Sequence, residues 1–216
     1  MPESIAVTNP KEIENKSFDM ITEILGERSF APLHEPVIKR VIHATADFDY
    51  ADILKIGENA VEEGMKALKS GCGIITDTKM AEAGINRKAL ARLGSSVNCL
   101  MHDEAVAGEA AARGITRAAV SMEKAARDAN NKIFVIGNAP TALIRLYGLV
   151  VEGVLKPKLV IGVPVGFVNV VASKELIKKC GVPYIISEGR KGGSNVAAAI
   201  VNALLYMSIK EEKQDG

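Results

Sequence analysis

His43 stands within the segment PVIKRVIHATADFDYAD (36–52), with Lys39, Arg40, Asp47 and Asp49 close by in the chain. Histidine titrates near neutrality, so among charged neighbours it can act as a general acid or base. At about 100° per residue, Val37, Ile38, Val41 and Ile42 form one apolar helical stripe, and His43 projects almost opposite its centre. That is an ordinary place for a surface histidine. It is equally the place for a proton-transfer group that must face a cleft.

The segment EGRKGGSN (188–195) sets Arg190 and Lys191 beside Gly192, Gly193 and Ser194. Consecutive glycines let backbone N–H groups turn towards one ligand and the cations add charge, so the stretch suits an anion. A tight strand-to-helix turn explains the same residues without a ligand. The segment fits neither the phosphate loop of nucleotide-binding proteins, in which Lys and then Ser or Thr follow the last glycine, nor G-x-G-x-x-G.

GNAPT (137–141) arranges Asn138, Ala139 and Thr141 around Pro140, good chemistry for starting a helix with Asn138 near the cap. GVPVGF (162–167) places Val165 and Phe167 on either side of Gly166, suiting a flat hydrophobic ligand or the packing of a buried loop. Arg117, in GITRAAVSM (114–122), falls near the start of a predicted helix, where its charge opposes the helix dipole and hints at an anionic partner. Asp77, just after CGIIT, and Ser17, on an amphipathic stretch, have ordinary capping or surface readings.

The elements that must hold these residues follow from apolar periodicity. Residues 10–27 place Ile13, Phe18, Ile21 and Ile24 at helical spacing behind a capping Asn9, and a second helix begins near Pro36. Beyond residue 58, short apolar runs read as buried parallel strands: CGIIT (72–76), SVNCLM (96–101), KIFVIG (132–137), KLVIGV (158–163) and PYIIS (183–187). Helix-like stretches lie near 58–70, 86–93, 116–129, 140–153, 173–180 and 193–209. TDTKM (76–80) and CLMHDEAVA (99–107) read as strand-end loops.

The alternation predicts an α/β fold: a doubly wound, mainly parallel sheet with flanking helices and an N-terminal helical arm. The arm spans 1–57, the sheet core 58–209 and a solvated tail 210–216, within one domain of 216 residues. Ligands of such sheets bind where loops converge at the strands' carboxyl ends.

Composition narrows the function classes. A formal net charge of +1 gives no global field for nucleic acid or an anionic membrane, and 4% aromatic residues without Trp argue against a base-stacking surface. The longest apolar runs, such as 159–165, are too short to span a bilayer, and the N-terminus lacks the pattern of a signal peptide, so the expectation is a cytoplasmic protein. Cys72, Cys99 and Cys180 are widely spaced, which suggests neither disulfides nor a zinc site, and no protein metal site is legible.

Together these segments resemble the precorrin-8X methylmutase (precorrin isomerase) family of corrin, or vitamin B12, biosynthesis. The resemblance runs over nearly the whole chain and is carried by KSFDMI (16–21), RVIHATADFDYAD (40–52), TDTKMAEAGI (76–85), GITRAA (114–119), IGNAPTAL (136–143), GVPVGFVNVVASKE (162–175) and GRKGGSNVAAAIVNALL (189–205). It implies an isomerase that moves a methyl group between adjacent ring carbons of precorrin-8X or cobalt-precorrin-8, formally a 1,5-sigmatropic shift, giving hydrogenobyrinate or cobyrinate without a cofactor. It also implies a homodimer.

Under that resemblance His43 is the catalytic acid, and Ser17, Arg40 and Arg117 line the substrate site. Asp77, Asn138, Ala139 and Thr141 join them with Gly192, Gly193 and Ser194. Met80, Val165, Gly166 and Phe167 face the flat ring, while Arg117, Arg190 and loop N–H groups take its carboxylates. Read from the residues alone, two rivals stay open: a nucleotide-dependent oxidoreductase, which lacks a glycine fingerprint here, and a non-catalytic tetrapyrrole carrier using the same site.

Overall fold

A computed structural model describes residues 9–212 of the chain. The first eight residues and 213–216, and with them the N-terminal leader reading and the end of the expected tail, lie outside the described residues.

Helix α1 (Pro10–Leu25) starts where the Asn9 side chain accepts from the N–H groups of Lys11 and Glu12. Helix α2 (Glu35–Thr45) carries the expected stripe, with Val37, Ile38, Val41 and Ile42 all buried. After the short α3 (Tyr50–Ile53), strand β1 (Leu54–Ile56) pairs antiparallel with the last strand, β6 (Tyr184–Ser187). That edge strand is an addition to the expected five.

All five expected strands form. They are β2 (Gly73–Thr76), β3 (Ser96–Asn98), β4 (Asn131–Ile136), β5 (Leu159–Gly162) and β6, all mutually parallel. A register irregularity falls between Gly73 and Ile74 where β2 pairs with β4. The spatial order is β1-β6-β5-β4-β2-β3. The central strands are buried on both faces, which is why they read as unbroken apolar runs. Ile74, Ile133, Val135, Leu159, Ile161 and Ile185 point to one layer, and Ile75, Phe134, Ile136, Val160 and Ile186 to the other.

The first layer contains α1, α2, α4 (Ala60–Lys69), α5 (Lys79–Gly84), α6 (Arg87–Arg92) and α11 (Ser194–Glu212). The second contains α8 (Arg117–Ala126), α9 (Pro140–Val151) and α10 (Val170–Lys178), with α7 (Glu104–Arg113) packed outside α8. Each fully buried Ile, Leu or Phe in these layers contributes about 1.5–3 kcal/mol over its exposed state.

Three expectations about local structure are corrected. TDTKM is not a loop throughout, because Thr78 caps α5 by accepting from the Ala81 N–H. SVNCLM stops as a strand at Asn98 and passes through a tight turn of helix (Leu100–His102) into α7, which the Asp103 side chain caps. On α1, Ile21 is buried as expected, but Ile13 and Ile24 are exposed and Leu25 is buried in their stead.

Candidate active site

The strand order reverses between β2 and β4. The chain leaves β2 towards α5 on one face and leaves β4 towards α9 on the other, so their carboxyl ends form the switch point at which sheets of this kind bind ligands. Asp77 forms its floor. Its side chain is 2% exposed and accepts the N–H groups of Gly137 at 2.8 Å, Asn138 at 2.9 Å and Ala139 at 2.6 Å. Burial raises the carboxyl's pKa, while the three donors act against that rise.

This changes the reading of three candidates. Asp77 fixes the β4–α9 loop instead of presenting a carboxylate to a ligand, and the N–H groups of Asn138 and Ala139 are already occupied by it. The Asn138 side chain does not cap α9, whose cap residue is Ala139 with no side-chain bond. The buried carboxylate satisfies that helix start from across the sheet.

Above this floor, two further loops close on each other. The Gly193 N–H donates to Val163 O at 2.8 Å and the Gly166 N–H to Arg190 O at 3.1 Å. Gly192 has φ +157°, and a Cβ there would lie 2.1 Å from the Val163 carbonyl oxygen, so only glycine fits. Ser194, at the start of α11, shares a 2.7 Å hydrogen bond with Thr78, and a Cβ on Gly137 would come within 2.8 Å of Ser194 Cα. Four strand-end loops therefore meet at one edge.

Large apolar side chains remain in solvent along that edge. Met80 on α5 is 72% exposed, Phe167 83%, and Val165 is likewise exposed. The Arg190 guanidinium lies 6.0 Å from the Phe167 ring centre. A flat, partly apolar ligand with an anionic rim is the kind of molecule such an edge receives.

His43 is exposed in the last turn of α2 and stacks on Phe18 of α1. Arg40 lies over the same ring at 4.6 Å, over Tyr206 at 5.1 Å, and pairs with Glu14 at 2.7 Å. A 450 Å³ cavity beside them is lined by Phe18, Thr22, Arg40, Tyr206 and Met207, but not by His43. Ser17 neighbours Phe18, with its hydroxyl donating to Ile13 O at 2.8 Å.

The histidine group and the glycine loop are joined. Lys191 Nζ contacts Asp47 and Asp49, each at 2.6 Å, tying the chain that follows α2 to the loop that precedes α11. The Lys191 contact holds Asp47 below the ordinary carboxylate pKa.

A third group stands at the starts of α8 and α9. Thr116 donates to Thr141 at 2.8 Å beside a 610 Å³ cleft that also includes Ile115 and Ile144. Arg117, the first residue of α8, is exposed and makes no ion pair among the described residues. Thus Ser17, Arg40 and His43 cluster together, as do the strand-end residues, and Arg117 with Thr141 occupies a separate flank.

Residues outside the candidate set also build the site. Phe18 seats His43, Thr78 joins α5 to α11, and Lys174 lies buried under the glycine loop. Lys174 was legible in principle, since Val170, Ser173, Lys174 and Ile177 follow helical spacing on the buried face of α10. Among the described residues no group of three or more His, Cys, Asp or Glu side chains could hold a metal ion, and no helix is long and apolar enough to cross a membrane.

Comparison with known proteins agrees over the same span. Residues 12–207 match the family model for precorrin-8X methylmutase. The cobalt-precorrin-8 methylmutase of Salmonella typhimurium (strain LT2) is 48% identical over 208 residues, covering 93% of this chain and 96% of that protein. The precorrin-8X methylmutase of Pseudomonas aeruginosa is 41% identical over 172 residues, covering 79% and 82%. The crystal structure of the Thermus thermophilus precorrin-8X methylmutase superposes with a TM-score of 0.87 at 37% identity, covering 93% of this chain and 97% of that one. With its parallel sheet, converging strand-end loops and matched sequence from residue 12 to 207, this chain belongs to the precorrin-8X methylmutase family.

Proposed function

We propose that this chain isomerises precorrin-8X or cobalt-precorrin-8 by moving a methyl group between adjacent ring carbons, with His43 as the proton donor. The observation that carries the role of His43 is its position: exposed, seated on Phe18, and tied through the Lys191 contacts to a glycine loop suited to anions. Methyl migration needs no nucleophile and no leaving group. The protein's work is to hold one arrangement of the macrocycle and to deliver a proton that is returned after the shift, so that no atom is gained or lost overall.

The exposed apolar residues Met80, Val165 and Phe167 suit the face of the ring, and Arg117 and Arg190 suit its carboxylates. A homodimer is also proposed, supported by the exposed Ile13, Met20 and Ile24 on α1. A cytoplasmic location fits the free thiols of Cys72, Cys99 and Cys180.

Incubating the purified protein with precorrin-8X and, separately, with its cobalt form should change the absorbance spectrum to that of the rearranged product with at least one of them. His43→Ala should bind the tetrapyrrole yet turn over about 10² to 10⁴ times more slowly. Full turnover by His43→Ala removes the role given to His43, and no spectral change with either substrate removes the activity. A monomer by light scattering removes the dimer.

A further inference from the structure

We propose that Lys174 is a positioning residue for this reaction: its buried ammonium turns the carbonyl groups of the β6–α11 loop inward, leaving the loop's N–H groups and Arg190 to receive substrate carboxylates. The proposal rests on the reading that this loop is a carboxylate site.

Lys174 is 1% exposed, so it cannot touch a ligand. Its Nζ donates to Gly189 O and to Lys191 O, both at 2.9 Å, and to Ser187 Oγ at 3.2 Å. Ser187 Oγ in turn donates to Lys191 O at 2.8 Å. The carbonyl between them, Arg190 O, accepts from the Gly166 N–H at 3.1 Å. Three consecutive carbonyls thus have internal partners.

The amides show the opposite pattern. Among the described residues, the N–H groups of Gly189, Arg190, Lys191 and Gly192 donate to no protein acceptor. A run of amides without acceptors, backed by carbonyls drawn the other way, has the polarity of an anion-receiving nest.

The identity of the residue supports this role. Lys174 has no carboxylate partner in the core, and a buried ammonium is costly unless its hydrogens are well accepted. Burial alone pulls its pKa down to about 8. An ammonium has three hydrogens, and three oxygens around this loop accept them. Methionine would fill the same space without that cost, but would leave Gly189 O without a partner and Lys191 O with the Ser187 hydroxyl alone.

Lys174→Met tests the idea through amide exchange at Gly166 and Gly193, whose N–H groups are hydrogen-bonded where this loop meets the one after β5, measured in the free protein, together with product affinity, KM and kcat. Exchange at Gly166 and Gly193 should speed by about tenfold or more while β4 and β5 are unchanged, and KM and product Kd should rise about tenfold, the equivalent of one hydrogen bond. The kcat should change less, because His43 lies on another element.

Ser187→Ala removes one oxygen from the same cluster and should shift the same quantities in the same direction by about two- to fivefold. It carries the test if Lys174→Met does not fold. A folded Lys174→Met with unchanged loop exchange and affinity overturns the proposal, as does an unchanged Ser187→Ala where only that variant folds. Arg190→Met separates the two readings. If it weakens product binding while Lys174→Met does not, the positioning role alone fails; if it leaves binding unchanged, the loop is not the carboxylate site.

Discussion

The imidazole of His43 lies parallel to the ring of Phe18, with ring centres 5.1 Å apart and planes within 6°. The histidine is in the last turn of α2 and the phenylalanine in the middle of α1, so the packing of two helices sets the direction in which the imidazole points. An aromatic pair of this kind is worth about 0.5–1.5 kcal/mol. Phe18→Leu should therefore fold and keep its KM, while kcat falls about two- to tenfold. Steady-state kinetics checks this, and an unchanged kcat would show that the stack does not orient the acid.

Asp77→Asn should damage stability more than chemistry. The carboxylate accepts three N–H groups, and an amide would turn a donor towards at least one of them. A cost of about 2–4 kcal/mol and a fall in Tm of several degrees are expected. Thermal unfolding measures the loss, and near wild-type stability would contradict the role given to Asp77 in fixing the β4–α9 loop.

The depressed pKa of Lys174 has a definite sign in stability. Between about 8 and the ordinary 10.5, the unfolded chain holds a proton that the folded protein has released. Stability from this group therefore rises with pH across that window and falls again as pH drops towards 8. Relative to Lys174→Met, the wild type should gain up to about 3 kcal/mol in unfolding free energy over the window. Denaturant titrations at pH 7.5, 9 and 10.5 read it, and a parallel pH dependence in both proteins would count against the buried charge.

Lys191→Met should release the tie between the chain after α2 and the glycine loop. Asp47 then loses the contact that lowers its pKa, and its midpoint should move up towards the ordinary carboxylate value in a carbon-detected titration. No movement would mean that the contact with Lys191 does not persist in solution.

Arg117→Gln should separate binding from stability. Removing a positive charge from the first residue of α8 relieves an unfavourable interaction with the helix dipole, so Tm should hold or rise. The KM should increase and become less sensitive to salt, because an exposed cation that attracts carboxylates is lost. Unchanged KM at low and high salt would take Arg117 out of the substrate site.

Strands β2, β4, β5 and β6 are readable because burial on both faces leaves continuous apolar runs, whereas β3 lies at the sheet edge with Ser96 and Asn98 exposed. β1 is not readable, because Leu54, Lys55 and Ile56 become a strand only by pairing with β6, far along the chain. α7 was missed for another reason: its sequence EAVAGEAAAR buries only Val106 and Ala110, too little for an apolar stripe. The position of His43 opposite the α2 stripe could be seen in the sequence, whereas the partners of Asp77, sixty and more residues away, could not.

Gly192 carries a consequence beyond its own loop. Because a side chain there would run into the carbonyl of Val163, the loops after β5 and β6 can close only around a bare backbone. Position 192 is thus a one-letter diagnostic: among sequences that align with this chain, any other residue there marks a protein whose two loops are parted, whatever else its motifs suggest.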